Sequence, residues 1–148
     1  MATIIIAPEY GYTVAAAIAS TILVTYLGVR VGSYRKIANV PYPFLYADAA
    51  DCKDDHQKYI FNCYQRVHQN TLEGFASYLI MLMFAGIQYP VASAALGSIW
   101  CIGRILYSIG YTTGDPKKRQ LGAFGHIGEI GLLVLTGKIA YDLIMSSA

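Results

Sequence analysis

Long apolar segments alternate with short polar ones along this chain. The segment from Tyr10 to Val29 contains no charged residue, and neither does the segment from Gly74 to Gly103. A helix needs roughly 20 mostly apolar residues to cross a bilayer. The first segment therefore predicts one membrane-spanning helix, which we expect to continue past Arg30 as far as Ile37.

The second uncharged segment is too long for one span, and the sequence Gln-Tyr-Pro at 88–90 interrupts it. Because the residue before a proline is biased away from helix, the pattern predicts a helical hairpin at this point. A polar turn follows at Gly114–Arg119, and a last apolar stretch runs toward the C-terminus. The pattern thus predicts a single domain, 1–148, with four spans at about 10–37, 59–88, 91–113 and 121–145.

The composition indicates lipid as the surrounding medium. Hydrophobic residues make up 55% of the 148 residues and charged residues 14%, whereas an average soluble domain is about one quarter charged. The net charge of +2 is small, and we expect no nucleic-acid partner. The sequence therefore predicts an all-α integral membrane protein, folded as a four-helix bundle.

Lysine and arginine are concentrated in two of the predicted connections. The segment 30–58 holds Arg30, Arg35, Lys36, Lys53 and Lys58, and the segment 114–119 holds Lys117, Lys118 and Arg119. By the positive-inside rule both connections face the cytosol and both termini lie on the far side. An even number of spans agrees with this orientation.

The polar residues at the start of the second predicted span lie on one face of a helix. At 100° per residue, Arg66, Asn70 and Glu73 fall within about 60° of one another, whereas His68 points away from them. The next predicted helix repeats the arrangement with Trp100, Arg104, Tyr107 and Tyr111. Ionisable groups inside spans are costly and usually line a cavity or a pathway. The two faces therefore predict a polar ligand site in the cytosolic half of the bundle.

The chemistry of these faces indicates a small zwitterionic ligand. Arginine binds carboxylates bidentately, and one acidic residue among several basic ones suits a ligand with more than one carboxylate and a single ammonium. The alternative is structural: Arg66 and Glu73 would only neutralise charges across the bundle, and the tyrosines would form an interfacial belt.

Three stretches resemble a known family: RKIANVPYP at 35–43, FNCYQRVHQNTLEGF at 61–75 and GRILYSIGYTTGDPKKR at 103–119. In this order and spacing they resemble the MAPEG family, small four-helix membrane proteins of eicosanoid and glutathione metabolism. The resemblance is greatest to the family's branch of type-three microsomal glutathione S-transferases. It implies a homotrimer of the endoplasmic reticulum or nuclear envelope that binds glutathione between subunits, near the cytosolic side.

The resemblance also implies roles for individual residues. Arg119 is expected to activate the glutathione thiol, with Lys118 as the alternative. The expected glutathione ligands are Arg35, Lys36, Arg66, His68, Asn70, Glu73, Tyr107 and Tyr111. Glutathione is the expected co-substrate, and no metal is expected.

A reaction follows from the expected position of Arg119. A guanidinium at the sulfur lowers the pKa of the thiol, and the thiolate is the reactive form. We therefore expect a glutathione S-transferase with peroxidase or leukotriene C synthase-like activity, acting on a lipophilic electrophile or a lipid hydroperoxide at the membrane lipid. Two rivals are a non-catalytic lipid-binding accessory protein of the same family and a small channel or transporter.

Three further features have both a structural and a functional interpretation. His126 and Glu129 could pair or bind a metal, and we expect a pair because a metal site needs more ligands. Cys63 is either a packed residue or a reactive thiol. Glycines recur at every third position, which predicts close helix packing; they are Gly122, Gly125, Gly128 and Gly131.

Overall fold

Helices account for nearly all of the regular structure of this chain. The computed structural model describes residues 6–146, which contain no β-strand, so residues 1–5 and 147–148 of the predicted domain lie outside the described part. In chain order the helices are α1 (Tyr10–Ile37), the short α2 (Asp51–Asp54), α3 (His56–Gln88), α4 (Pro90–Tyr111), a 3-10 helix (Pro116–Gly122) and α5 (Gly125–Ser146). The all-α prediction is confirmed for the described residues.

The helix boundaries follow the sequence signals closely. α1 occupies the predicted range, and Pro90 begins α4 at the predicted hairpin turn. α5 begins at Gly125 rather than near Leu121, because the 3-10 helix continues to Gly122. The segment before α5 packs along α4, where a Cβ atom added to Gly122 would collide with the carbonyl oxygen of Gly103 and one added to Gly110 with the carbonyl of Lys118.

Three helices in the described range are long and apolar enough to cross a membrane, and they are α1, α3 and α4. α5 is not one of the three, and it carries Glu129, Lys138 and Asp142. The ammonium of Lys138 lies 2.5 Å from the carboxylate of Asp142, so two of these charges neutralise each other. Four spans and the resulting orientation stay predictions.

The main core lies between α1, α3, α4 and α5. Tyr78, Leu82, Trp100 and Leu132 are almost fully buried there. The rings of Tyr78 and Trp100 stack with their centroids 3.9 Å apart, a contact that adds to the free energy of burial. Trp100 lies one turn before the polar residues of α4, so this core forms the floor beneath them.

The closest backbone approach joins α4 to the start of α5. A Cβ atom added to Gly103 would lie 2.5 Å from the Cα atom of Gly125, and one added to Gly128 would collide with the carbonyl oxygen of Leu96. Small residues permit this separation, and the predicted packing role of the glycine repeat is confirmed. The contact holds the 3-10 helix and the first turn of α5 against the polar face of α4.

Candidate functional site

The polar faces of α3 and α4 meet in a continuous hydrogen-bond network. Nη1 of Arg66 lies 3.0 Å from Oε1 of Glu73, and Nδ2 of Asn70 donates to the other carboxylate oxygen at 3.4 Å. Nη1 of Arg104 donates to Oδ1 of Asn70 at 3.0 Å. The residues that the helical period placed on one face are therefore joined to the second helix through Asn70.

The network runs from an open surface into the protein. The side chains of Arg66 and Glu73 are 43% and 49% exposed, whereas Asn70 and Arg104 are half-buried. The guanidinium carbon of Arg104 lies 5.4 Å from the ring centroid of Trp100 and 5.8 Å from that of Tyr107. The two aromatic rings stabilise this cation on the apolar floor of the site.

A cavity of about 180 Å³ adjoins the inner end of the network. Three of the predicted site residues line it, namely Asn70, Tyr107 and Arg119. Arg104 and His126, which the sequence did not identify as ligands, line it as well. The cavity thus unites α3, α4, the 3-10 helix and α5 around one small polar volume.

The 3-10 helix places Arg119 at this cavity. Gly114 has a positive φ of 85° at the turn after α4, and the side chain of Asp115 then accepts a hydrogen bond from the backbone N–H of Lys117 at 3.0 Å. Added side-chain atoms at Gly110 would collide with the carbonyl of Lys118, so the segment lies directly on α4. The alternative Lys118 is exposed and is not among the cavity-lining residues.

The charge of Arg119 is available to a ligand. Within residues 6–146 its guanidinium forms no ion pair, and the side chain is exposed. Arg104 contributes a second cation to the same cavity, whereas Glu73 lies farther out in the network. Two guanidinium groups therefore line the inner cavity, and its other titratable lining residue besides Tyr107, His126, is paired with the carboxylate of Glu129.

His126 is paired with Glu129 by a contact of 3.2 Å between Nδ1 and Oε2. This geometry agrees with the expected pair. Within the described part of the chain, no three His, Cys, Asp or Glu side chains come together as a metal site would require. Cys63 is buried on α3, as a packed residue would be.

A sequence model of the MAPEG family matches residues 13–141. The chain belongs to the MAPEG family. This confirms the family resemblance of the three stretches, and together with α1, α3 and α4 it makes this a membrane protein. The family includes glutathione transferases, so membership indicates a glutathione-related function at a membrane.

One curated relative is the uncharacterized protein sll1147 of Synechocystis sp. (strain ATCC 27184 / PCC 6803 / Kazusa). It is 40% identical to this MAPEG protein over 70 residues, which are 47% of this chain and 51% of the relative. The match thus spans about half the length of that protein. The name of that protein assigns no activity, so the likeness adds no substrate or reaction to the family assignment.

The two MAPEG-implied ligands at the end of α1 lie away from the cavity. Arg35 is buried, with 8% of its surface exposed, and its guanidinium donates to the carbonyl oxygen of Phe44 at 2.7 Å. Lys36 is exposed and borders a separate open groove of about 990 Å³ along the end of α1. Within residues 6–146 neither residue joins the network of α3 and α4.

The remaining two implied ligands differ in their surroundings. The ring of Tyr111 lies 5.6 Å from that of Tyr107, centroid to centroid, and thus extends the aromatic wall of the site. His68 instead packs against α1 of its own chain, where a Cβ atom added to Gly28 would lie 3.2 Å from its Nε2. The helical period predicted that His68 points away from Arg66, but no pattern in the sequence indicates that Gly28 receives the ring.

Proposed function

We propose that this MAPEG protein is a membrane-bound glutathione transferase with peroxidase activity, most similar to the type-three microsomal branch. The observation that carries the proposal is the cavity itself. Asn70, Tyr107 and Arg119 lie on three different helices, were each expected at a glutathione site, and line one small volume. A structural role for the charges alone would not require an exposed Arg119 beside the half-buried Arg104.

The outer network matches the charges of the peptide. Glutathione has two carboxylates, one ammonium and one thiol. The α-amino-acid end carries one charge of each sign, and the neighbouring Arg66 and Glu73 offer the complementary pair. Arg66 binds the carboxylate and Glu73 the ammonium, while Asn70, Tyr107 and Tyr111 orient the chain between them and the inner cavity.

Arg119 provides the chemical step. Its guanidinium stabilises the thiolate and so lowers the pKa of the thiol. The thiol therefore releases its proton to solvent at a pH below its ordinary pKa of about 8.5. With an epoxide, the sulfur forms a bond to carbon, the carbon–oxygen bond breaks, and the alkoxide takes up a proton. With a lipid hydroperoxide, the sulfur attacks the outer peroxide oxygen and the O–O bond breaks. The lipid alkoxide takes up a proton and leaves as an alcohol, and glutathione is left as a sulfenic acid. The thiol of a second glutathione then attacks that sulfur, which gives the disulfide and water.

The lipophilic substrate approaches from the bilayer. Next to Arg104, α4 exposes the side chains of Ile102, Ile105 and Ile109, which suit acyl chains as neighbours. A substrate dissolved in the membrane can therefore reach the polar cavity without crossing water. The peptide enters from the cytosolic side, where the basic connections lie in the orientation proposed here.

The assembly and location belong to the same proposal. The chain forms a homotrimer of the endoplasmic reticulum or nuclear-envelope membrane, with α5 as the fourth span. The charged side chains of α5 form two pairs, Lys138 with Asp142 and His126 with Glu129. This pairing lowers the free energy needed to place them in the bilayer. Lys36, exposed at the end of α1, reaches the peptide of an adjacent subunit. For His68 and Arg35, a role as glutathione ligands is supported by the family resemblance alone.

The test is glutathione turnover by the purified chain in detergent. A model electrophile measures conjugation, and a fatty-acid hydroperoxide measures peroxidase activity. We expect both reactions with wild type, and we expect Arg119→Gln to abolish most of both while glutathione still binds. Lipid binding without either reaction would contradict the proposal and favour the non-catalytic accessory function.

A further inference from the structure

A phenol from the loop between α1 and α2 reaches the polar stripe of α3. Tyr46 is half-buried, and its hydroxyl donates a hydrogen bond to Oε1 of Gln69 at 2.5 Å. Gln69 lies three residues after Arg66 and four residues before Glu73 on α3, and these spacings put the three side chains on one face of the helix. The loop therefore contributes a polar group at the network that the proposed function assigns to glutathione.

The electrostatics place this hydroxyl beside the outer charge pair. Burial raises the pKa of Tyr46 above its ordinary value, the positive charge of Arg66 acts in the opposite direction, and the carboxylate of Glu73 raises the pKa again. Because its proton is donated to Gln69, the phenol oxygen retains lone pairs that can accept from a ligand. The interactions with both Arg66 and Glu73 place the phenol on the side of the stripe where the ammonium of the ligand would be held.

Asn62 fixes the loop next to Tyr46. Its side-chain oxygen accepts from the backbone N–H of Ala47 at 2.8 Å, and its Nδ2 donates to the carbonyl oxygen of Ala47 at 2.9 Å. Asn62 lies on α3, one turn before Arg66. Two hydrogen bonds to the N–H and the C=O of one residue set both the distance and the orientation of the loop relative to the stripe.

Arg35 fixes the loop from the other side. Besides its contact with Phe44, its guanidinium lies 3.4 Å from the carbonyl oxygens of Val40 and Leu45. The guanidinium carbon also lies 4.7 Å from the ring centroids of both Tyr42 and Phe61. Within this chain the donors of Arg35 serve backbone carbonyls, so its charge organises the loop.

We propose that Tyr46 is a further substrate-contacting residue, which closes over the α-amino-acid end of glutathione at Arg66 and Glu73. Arg35 and Asn62 are positioning residues that hold the loop carrying Tyr46. The inference rests on the proposed function, and it assigns Arg35 a different role from direct contact with the peptide.

The experiment measures the dissociation constant of glutathione by titration calorimetry with the full chain in detergent. Tyr46→Phe removes one hydrogen bond to a charged ligand, so we expect binding to weaken by about tenfold. Asn62→Ala and Arg35→Lys should weaken it in the same direction. Because all three act through one contact, each double variant with Tyr46→Phe should bind no more weakly than the worse single variant.

The matched control is Tyr42→Phe, on the same loop. Tyr42 is 80% exposed, and phenylalanine preserves the ring that packs on Arg35. We expect the control to bind glutathione as wild type does. γ-Glutamylcysteine keeps the α-amino-acid end, so Tyr46→Phe should weaken its binding by the same factor.

The outcomes separate this inference from the proposed function. If wild type fails to bind glutathione, the proposed function fails and the inference fails with it. The inference alone is overturned if wild type binds glutathione and Tyr46→Phe binds it equally well but unfolds at a lower temperature. In that case the hydroxyl of Tyr46 stabilises the fold and does not contact the ligand. The double variant Arg35→Lys with Tyr46→Phe tests the positioning role of Arg35. If its loss of glutathione affinity equals the sum of the losses in the two single variants, that role is overturned.

Discussion

Arg104 donates a hydrogen bond to the side-chain oxygen of Asn70 at 3.0 Å across the interface between α3 and α4. This bond fixes the orientation of the amide, so that Nδ2 of Asn70 faces Glu73. The outer charge pair and the inner cavity are therefore coupled through one side chain.

Removing this coupling should weaken glutathione binding. Arg104→Gln removes a charged donor from a half-buried site and leaves the oxygen of Asn70 without its partner, so we expect affinity to fall about tenfold. Arg104→Lys keeps the charge but loses the planar guanidinium between Trp100 and Tyr107, and its effect should be intermediate. Calorimetric titration checks both variants, and equal affinity of Arg104→Gln and wild type would contradict the coupling.

The pair of Arg66 and Glu73 should matter for binding far more than for stability. Both side chains are more than two-fifths exposed, and exposed ion pairs contribute at most about 1 kcal/mol. Glu73→Gln should therefore leave the unfolding temperature nearly unchanged while weakening glutathione binding about tenfold. Asp142→Asn breaks the pair with Lys138, outside the cavity, and serves as the control that should leave glutathione binding intact. A large stability loss with unchanged binding in Glu73→Gln would indicate a purely structural pair.

The glycine contact between α4 and α5 should not tolerate a methyl group. Gly103→Ala would place a Cβ atom 2.5 Å from the Cα of Gly125, and we expect a loss of about 1–3 kcal/mol from the strain of separating the helices. The control is Gly137→Ala in α5, where no atom lies within 4 Å of the added Cβ. That variant should be neutral or stabilising by up to about 1 kcal/mol. Thermal unfolding in detergent compares the two, and equal stability would disprove the close packing.

Accessibility labelling tests whether α5 is a fourth span. The test uses a chain whose native cysteines are replaced by serine. In that chain, the new thiol of Lys53→Cys should react with a membrane-impermeant reagent added from the cytosolic side. Ser146 is the last residue of α5, and the new thiol of Ser146→Cys should react only after the membrane is permeabilised. Cytosolic labelling of both positions would place the end of α5 on the same side as the loop and contradict four spans.

Much of the helical framework follows from local signals. The uncharged stretch after Tyr10 and the break at Pro90 define α1 and the hairpin, and the helical period puts Arg66, Asn70 and Glu73 on one face. These features depend on residues close together in the chain. The same periodicity put Arg104 on the polar face of α4 with Tyr107, although the resemblance did not make it a ligand.

Other parts of the site depend on contacts between distant segments. Tyr46 lies in an irregular loop whose course is set by Arg35 and Asn62, and no periodicity predicts where such a loop places a phenol. His126 reaches the cavity only because Gly103 and Gly125 allow α5 to pack closely on α4. The pattern of one segment does not contain this information.

The central claim is that Arg119 stabilises the glutathione thiolate, and the most direct measurement is the ultraviolet difference spectrum of bound glutathione. At a pH below the free thiol's pKa of about 8.5, wild type should show the thiolate absorption band. Arg119→Gln should retain glutathione binding, lose that band, and lose about a hundredfold or more in turnover. An unchanged thiolate band in Arg119→Gln would contradict the account.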